Sequence, residues 1–117
     1  MRSGIKILED HLGEGPLVER HRTYKVQLRM WLPKGEPVKF SYSSLKEIAV
    51  EDEGATYIGP FEVHRGRTIA GLFYGVEGMR VGGQRKLKVS PHLAYGKEGM
   101  ANIPGNAALI IEITILE

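Results

Sequence analysis

The chain has 117 residues, 42% hydrophobic and 26% charged, a makeup that fits one globular domain with a single modest core. Its 16 basic and 14 acidic residues leave a net charge of +2, which gives no ground for assigning nucleic acid or a membrane surface as the main partner. Cysteine is absent, which excludes a disulfide framework, thiolate chemistry and cysteine-based metal sites. No cationic start leads into an apolar stretch, and no apolar run approaches the ~18–20 residues of a membrane span. Cytoplasmic residence and a monomer are therefore the default expectations.

In chain order, residues 4–9 alternate and predict a short strand with Ile5 and Ile7 opposite Lys6 and Leu8. Residues 12–16, with two glycines and Pro16, form a loop, and Arg20-His21-Arg22 is a small basic cluster, read as a solvated loop or an anion contact. The clearest strand covers residues 23–32, with Tyr24, Val26, Leu28, Met30 and Leu32 on one face and Lys25, Gln27, Arg29 and Trp31 on the other. Pro33-Lys34-Gly35 supplies a type I turn, with proline at the second position and glycine at the fourth. Residues 38–43 are then expected to return as a second hairpin strand. Residues 45–50 fit a strand or a helical turn, and Glu51 to Gly54 is an acidic turn. Gly59-Pro60 reads as a break ahead of a short strand over 61–64. The four histidines lack metal-ligand spacing, so no metal or other cofactor is expected.

The stretch from Thr68 to Tyr95 is the organising one. Ile69, Leu72, Phe73 and Val76 fall at helical spacing, Gly82-Gly83 marks a turn, and residues 84–89 alternate with Arg85, Leu87 and Val89 on one face. So short a helix needs a sheet to lie on. Phe73 suits the core or a pocket, and Tyr74 is expected to point away from the core. Residues 96–105 form a Gly-, Pro- and Asn-containing loop, and residues 108–116, polar only at Glu112 and Thr114, read as a central strand. The sum is an α+β domain spanning residues 1–117: five to six antiparallel strands curved around one short helix. No catalytic triad order, nucleophile elbow or phosphate loop is present.

The run V-G-G-Q-R-K-L (81–87), then P-H-L-A-Y-G (91–96), then I-P-G-N-A-A-L (103–109), resembles the FKBP family of peptidyl-prolyl cis-trans isomerases. The likeness extends from Gly4 to Glu117, with no room for the chaperone insert of some relatives after Ala94-Tyr95-Gly96. It implies an apolar pocket between helix and sheet that takes a proline ring. Tyr95 matches the tyrosine whose hydroxyl bonds the bound carbonyl, and Ile69 matches the isoleucine whose N–H does the same. Thr68 stands beside the pocket and Ile103 at its rim. Leu72 stands where the family has a floor tryptophan, Leu28 where it has a second-strand tyrosine, Ile111 where it has a last-strand phenylalanine, and Asn102 where it has a rim isoleucine. Phe40-Ser41 is the first alignment for the third-strand Phe-Asp pair and Val38-Lys39 the alternative; the acid is missing in both. The resemblance thus implies a peptidyl-prolyl isomerase with an aliphatic, wider pocket floor. Its partners would be proline-containing peptides or unfolded chains, with macrolides bound at reduced affinity. The other reading is a binding module with weak or no isomerase activity.

Overall fold

The computed structural model describes residues 3–117. Seven strands form one antiparallel sheet: β1 (Ile5–His11), β2 (Thr23–Trp31), β3 (Pro37–Val38), β4 (Ala49–Glu51), β5 (Thr56–Glu62), β6 (Gln84–Val89) and β7 (Leu109–Ile115). Their order is β1-β6-β7-β2-β5-β4, with β3 paired to β2 off this path. Among the described residues the single α-helix, α1 (Ala70–Gly75), lies against the inner face of β6. β3, of two residues, stands where a strand over 38–43 is expected, and β4, of three, overlaps the end of the stretch 45–50 that fits a strand or a helical turn.

Period-two alternation sets which side of each strand enters the core. Along β7, Leu109, Ile111, Ile113 and Ile115 are fully buried, while Ile110, Glu112 and Thr114 on the other face are half-buried. β7 is flanked by β6 and β2, the central position its apolar run predicts. Val26, Leu28 and Met30 of β2 enter the same core, and Trp31 stays on the outer face, where the Lys86 ammonium lies 5.4 Å from its ring centroid. From the helix come Leu72, Phe73 and Val76, all buried. Tyr74 was expected to stand clear; it is half-buried against the core, with its ring 5.0 Å from that of Phe73 in an edge-on arrangement. Phe73 resolves to core, and its ring carries the Arg20 guanidinium at 5.0 Å.

Three expectations are corrected. The strand expected over 38–43 ends at Val38, where pairing to Met30 stops, because Phe40 turns its N–H to Gly54 O (2.8 Å) instead of to β2. The break expected at Gly59-Pro60 does not occur, since β5 runs through both residues. Lys25, opposite Pro60, directs its N–H and C=O to the β7 side, so this is a non-hydrogen-bonded pair and the proline nitrogen points away from β2. β4 has already ended at its pairing of Ala49 with Ile58, so no ladder bond is lost. β1 contains a bulge between Ile7 and Glu9 that breaks the simple alternation.

The bulge has a purpose in the core. Ile5 and Ile7 pair with Val89 and Leu87; one extra residue, Leu8, then brings Asp10 rather than Glu9 opposite Arg85. Arg85 is 4% exposed. Its Nε and Nη2 each donate to the Asp10 carboxylate at 3.1 Å, and Nη1 donates to Gly75 O (2.7 Å) and Glu77 O (2.8 Å). A single guanidinium therefore holds β1, β6 and the carbonyl end of α1, where a positive charge also complements the helix dipole.

Candidate functional site

Tyr95 follows the 3-10 turn Pro91–Leu93, which starts at the strand-ending Ser90-Pro91. Gly96 N–H bonds Pro91 O (2.8 Å) and Gly99 N–H bonds Tyr95 O (3.1 Å), closing the chain tightly around the tyrosine. Met100 and Ile103 exchange both backbone hydrogen bonds (2.8 and 2.9 Å), forming a small loop that faces it. A Cβ on Gly99 would collide with the Ile103 carbonyl, so this loop closes only with glycine there.

Tyr95, Phe40, Asn102 and Ile103 line one depression of about 200 Å³, with Met30, Val38, Lys39, Ser41, Met100 and Ala101 completing it. Leu28, Phe40 and Thr68 line a second, of about 210 Å³, with Tyr57, Pro60, Phe61, Glu62 and Arg67. Phe40 belongs to both, so the two share a wall. On the side of the second depression that wall continues through Tyr57: the Phe40 and Tyr57 rings are 5.6 Å apart at 40°, and Tyr57 Oη donates to Pro60 O at 2.7 Å. Most of the expected substrate residues thus come from β2, the 39–48 loop, the start of α1 and the 96–105 loop onto one groove.

Ile69 is the N-cap of α1, extended at φ −62°, ψ 147°, and its carbonyl receives Leu72 N–H (3.0 Å) and Phe73 N–H (3.1 Å). Its own N–H precedes the helix and has no place in the intrahelical ladder. Leu72 and Ile111 lie deeper, at 2% and 0% exposure, and line neither depression. Both side chains, expected as part of an aliphatic pocket floor, are packed in the core. Val38, and not Phe40, stands on the third strand, while both residues line the first depression. Met30, Met100 and Arg67 were missed. Met30 was legible, since it shares the apolar face of β2 with Leu28 one pair along; the two loop residues carry no periodicity to betray them.

Burial pushes the Tyr95 phenol above its ordinary value, so it remains an O–H donor through neutral pH. Among the described residues the Tyr95 hydroxyl has no hydrogen-bond partner. A half-buried, unengaged donor on an apolar wall is suited to a carbonyl oxygen brought in by a ligand. The raised value also couples to stability. Above pH 10 the unfolded phenol ionises before the folded one, so stability relative to neutral pH falls as pH rises through the folded value. Tyr57 shifts in the same direction, from burial first and the Glu47 carboxylate second. Tyr95→Phe is expected to retain more of its neutral-pH stability at alkaline pH than the unaltered protein, read by urea denaturation between about pH 9 and pH 11; identical alkaline losses would contradict the burial of the phenol. Among the described residues no cluster of His, Asp or Glu is arranged to hold a metal ion.

Residues 18–116 match the model of the FKBP-type peptidyl-prolyl cis-trans isomerase family. FK506-binding protein 4 of Aspergillus oryzae is 34% identical over 114 residues, 97% of this chain but only 22% of that protein. The chain therefore spans about a fifth of the length of such curated relatives. A shorter match, 56% over 52 residues, is to the chloroplastic peptidyl-prolyl cis-trans isomerase FKBP16-4 of Arabidopsis thaliana, covering 44% of this chain and 23% of that one. Among solved structures, FkpA of Escherichia coli superposes with a TM-score of 0.72 at 25% identity, covering 99% of this chain and 52% of that one. A peptidyl-prolyl cis-trans isomerase of Pseudomonas syringae gives 0.69 at 22% identity, covering 97% and 72%, and supports the fold alone. With the sheet wrapped on a short helix, and the matched residues spanning β2 to β7, the chain belongs to the FKBP-type peptidyl-prolyl cis-trans isomerase family.

Proposed function

We propose that the protein accelerates rotation about X-Pro peptide bonds in chains that lay a proline into the groove beside Tyr95. The observation that carries this is the unengaged, partly desolvated Tyr95 hydroxyl on an apolar wall, in a chain of this family. Resonance makes the planar amide resist rotation with a barrier of ~18–20 kcal/mol, and free X-Pro bonds turn over in tens to hundreds of seconds. The twisted transition state has lost that resonance and its charge separation. An apolar surround therefore disfavours it less than the planar, more polar ground state. Tyr95 Oη and Ile69 N–H serve to hold carbonyl oxygens of the bound chain, while Leu28, Phe40, Thr68, Asn102 and Ile103 form the walls. Leu72 and Ile111 support them from the core. No nucleophile or general base takes part.

The same proposal includes a monomer acting in the cytoplasm on unfolded or proline-containing segments, and a reduced affinity for macrolides. Support for the location is compositional: no cysteine in the chain, and among the described residues no helix long and apolar enough to cross a membrane. The burial of Leu72 and Ile111, which leaves little of either side chain for a ligand to touch, supports the reduced macrolide affinity.

A protease-coupled assay on a short X-Pro peptide tests the activity. The expected result is an isomerisation rate rising linearly with protein concentration; a rate equal to the uncatalysed one at high protein concentration would remove the proposal. Tyr95→Phe is expected to weaken peptide binding by about 1 kcal/mol, the size of one net hydrogen bond, and calorimetry that finds equal dissociation constants would take Tyr95 out of the site.

A further inference from the structure

Three side chains lining the two depressions carry formal charge: Lys39, Glu62 and Arg67. They sit in different surroundings. Behind Lys39 lies the acidic turn: the Lys39 side chain packs 3.3 Å from where a Cβ on Gly54 would be, and Phe40 N–H bonds Gly54 O. Glu51, Asp52 and Glu53 precede that glycine, and Asp52 is engaged by the Thr56 hydroxyl (2.6 Å) and by Arg29 (3.6 Å).

The Arg67 end is different. The loop after β5 and the loop before β2 are tied together there by His21 N–H to Val63 O (2.7 Å) and Val63 N–H to Arg22 O (2.9 Å). The His21 and His64 rings meet edge-on at 5.3 Å. Arg20 and Arg22 flank His21 in the chain, and Arg65 and Arg67 follow His64, in a chain whose overall charge is only +2. Three carboxylates answer them: Glu19 to Arg22 at 2.9 Å, Glu77 to Arg20 at 3.8 Å and Glu62 to Arg67 at 4.0 Å. All three pairs are exposed and two are loosely spaced, so they hold the guanidinium groups weakly. Arg65 has no ion-pair partner among the described residues. The two loops bring these arginine-bearing segments together, and Arg67 lines the second depression.

We infer that the groove selects chains bearing an acidic residue next to the proline, bound at the Arg65–Arg67 end. The inference rests on the isomerase reading of the groove. A chain extended along it passes Thr68 and reaches Arg67 with its neighbouring side chain. A carboxylate there gains a charge-assisted pair with a guanidinium, while a lysine meets like charge. At the opposite end Lys39 is a single ammonium, against the two guanidinium groups of Arg65 and Arg67 here.

The test uses short peptides with Glu, Gln or Lys at each of the two positions on either side of one proline. Isomerisation is followed by NMR exchange with the full chain at low salt. The expected result is a kcat/KM about fivefold higher for Glu than for Gln at one position, with Lys below Gln. In the Arg65→Gln/Arg67→Gln variant, and at roughly 0.5 M salt, the Glu-to-Gln ratio should fall to about one. Both arginines are exposed, so the double variant keeps its fold. A ratio of one at every position, or a ratio unchanged in the variant, overturns the preference and leaves the isomerase reading standing. If no peptide is turned over, that reading fails instead. Dissociation constants from chemical-shift titration then decide the preference, and equal values for Glu and Gln peptides overturn it.

Discussion

Replacing Arg85 by methionine should cost about 3 kcal/mol of folding stability, the largest single-residue loss expected outside the aliphatic core. The Arg85 side chain is 5% exposed, and its removal strands four acceptor contacts at once: both oxygens of Asp10 and the carbonyls of Gly75 and Glu77. Breaking a buried pair from one side costs ~3–5 kcal/mol, because the remaining charge stays desolvated. The lower end applies here, since the Asp10 side chain keeps 39% of its exposure and recovers some hydration. Gly75 is the last residue of α1 and Glu77 follows its C-cap, so neither carbonyl has an intrahelical donor to replace the lost ones. Asp10→Leu combined with Arg85→Met should cost less than Arg85→Met alone, because the double change removes the stranded carboxylate. Urea denaturation with an unchanged m-value measures both. A loss below about 1 kcal/mol for Arg85→Met would mean that the pair contributes no more than an exposed one.

This cluster shows where sequence pattern serves and where it stops. The alternation of residues 84–89 places Arg85 on the same face as Leu87 and Val89, and that face is the buried one. A charged residue at a core position calls for a partner, but the partner lies 75 positions earlier. Strict alternation of β1 would bring Glu9, not Asp10, to the inner face. Only the bulge at Leu8 corrects the register, and a bulge leaves no mark in an apolar–polar pattern. Pro60 shows the converse. Proline is a fair signal for a strand break, yet its effect depends on which way its nitrogen faces, and the pairing of Lys25 with β7 settles that from outside the strand.

The groove was legible in part. Tyr95, Ile103 and Asn102 sit in a short segment whose turn and loop residues form a recognisable run, so their grouping follows from the chain itself. Leu28 reaches the groove because strong periodicity fixes β2, and Thr68 because it directly precedes the periodic run that forms α1. Phe40 is less predictable: it lies beyond the end of β3, and its position is set by a hydrogen bond to Gly54 across the 39–48 loop. Depth was not legible. Exchange of aromatic for aliphatic side chains suggests empty space, but a core packs to close it, and Leu72 and Ile111 end beneath the surface.

Closure of that core sets the second large effect. Gly71→Ala should destabilise the protein by about 2 kcal/mol, although Gly to Ala inside a helix normally stabilises by up to ~1 kcal/mol. A Cβ at Gly71 would fall inside contact distance of Val89 Cγ1, and it would lie 3.0 Å from Cγ2 and 3.1 Å from the Leu93 carbonyl oxygen. Val89 is fully buried, and its β-branched side chain has few rotamers to escape into. The carbonyl is backbone and cannot rotate aside, so the helix itself must lift. Gly75 is the internal control: its added Cβ would meet only Leu87 Cδ1, at 2.6 Å, the far end of a flexible side chain. Gly75→Ala should therefore cost under about 1 kcal/mol. In the double variant Gly71→Ala/Val89→Ala the two losses should be less than additive, since removing both Val89 methyls opens the space that the alanine needs. Strict additivity in denaturant unfolding would show that the two sites do not touch. A lifted helix also carries Thr68 and Ile69 away from Leu28 across the groove, so Gly71→Ala should lower kcat/KM on X-Pro peptides more than Gly75→Ala does.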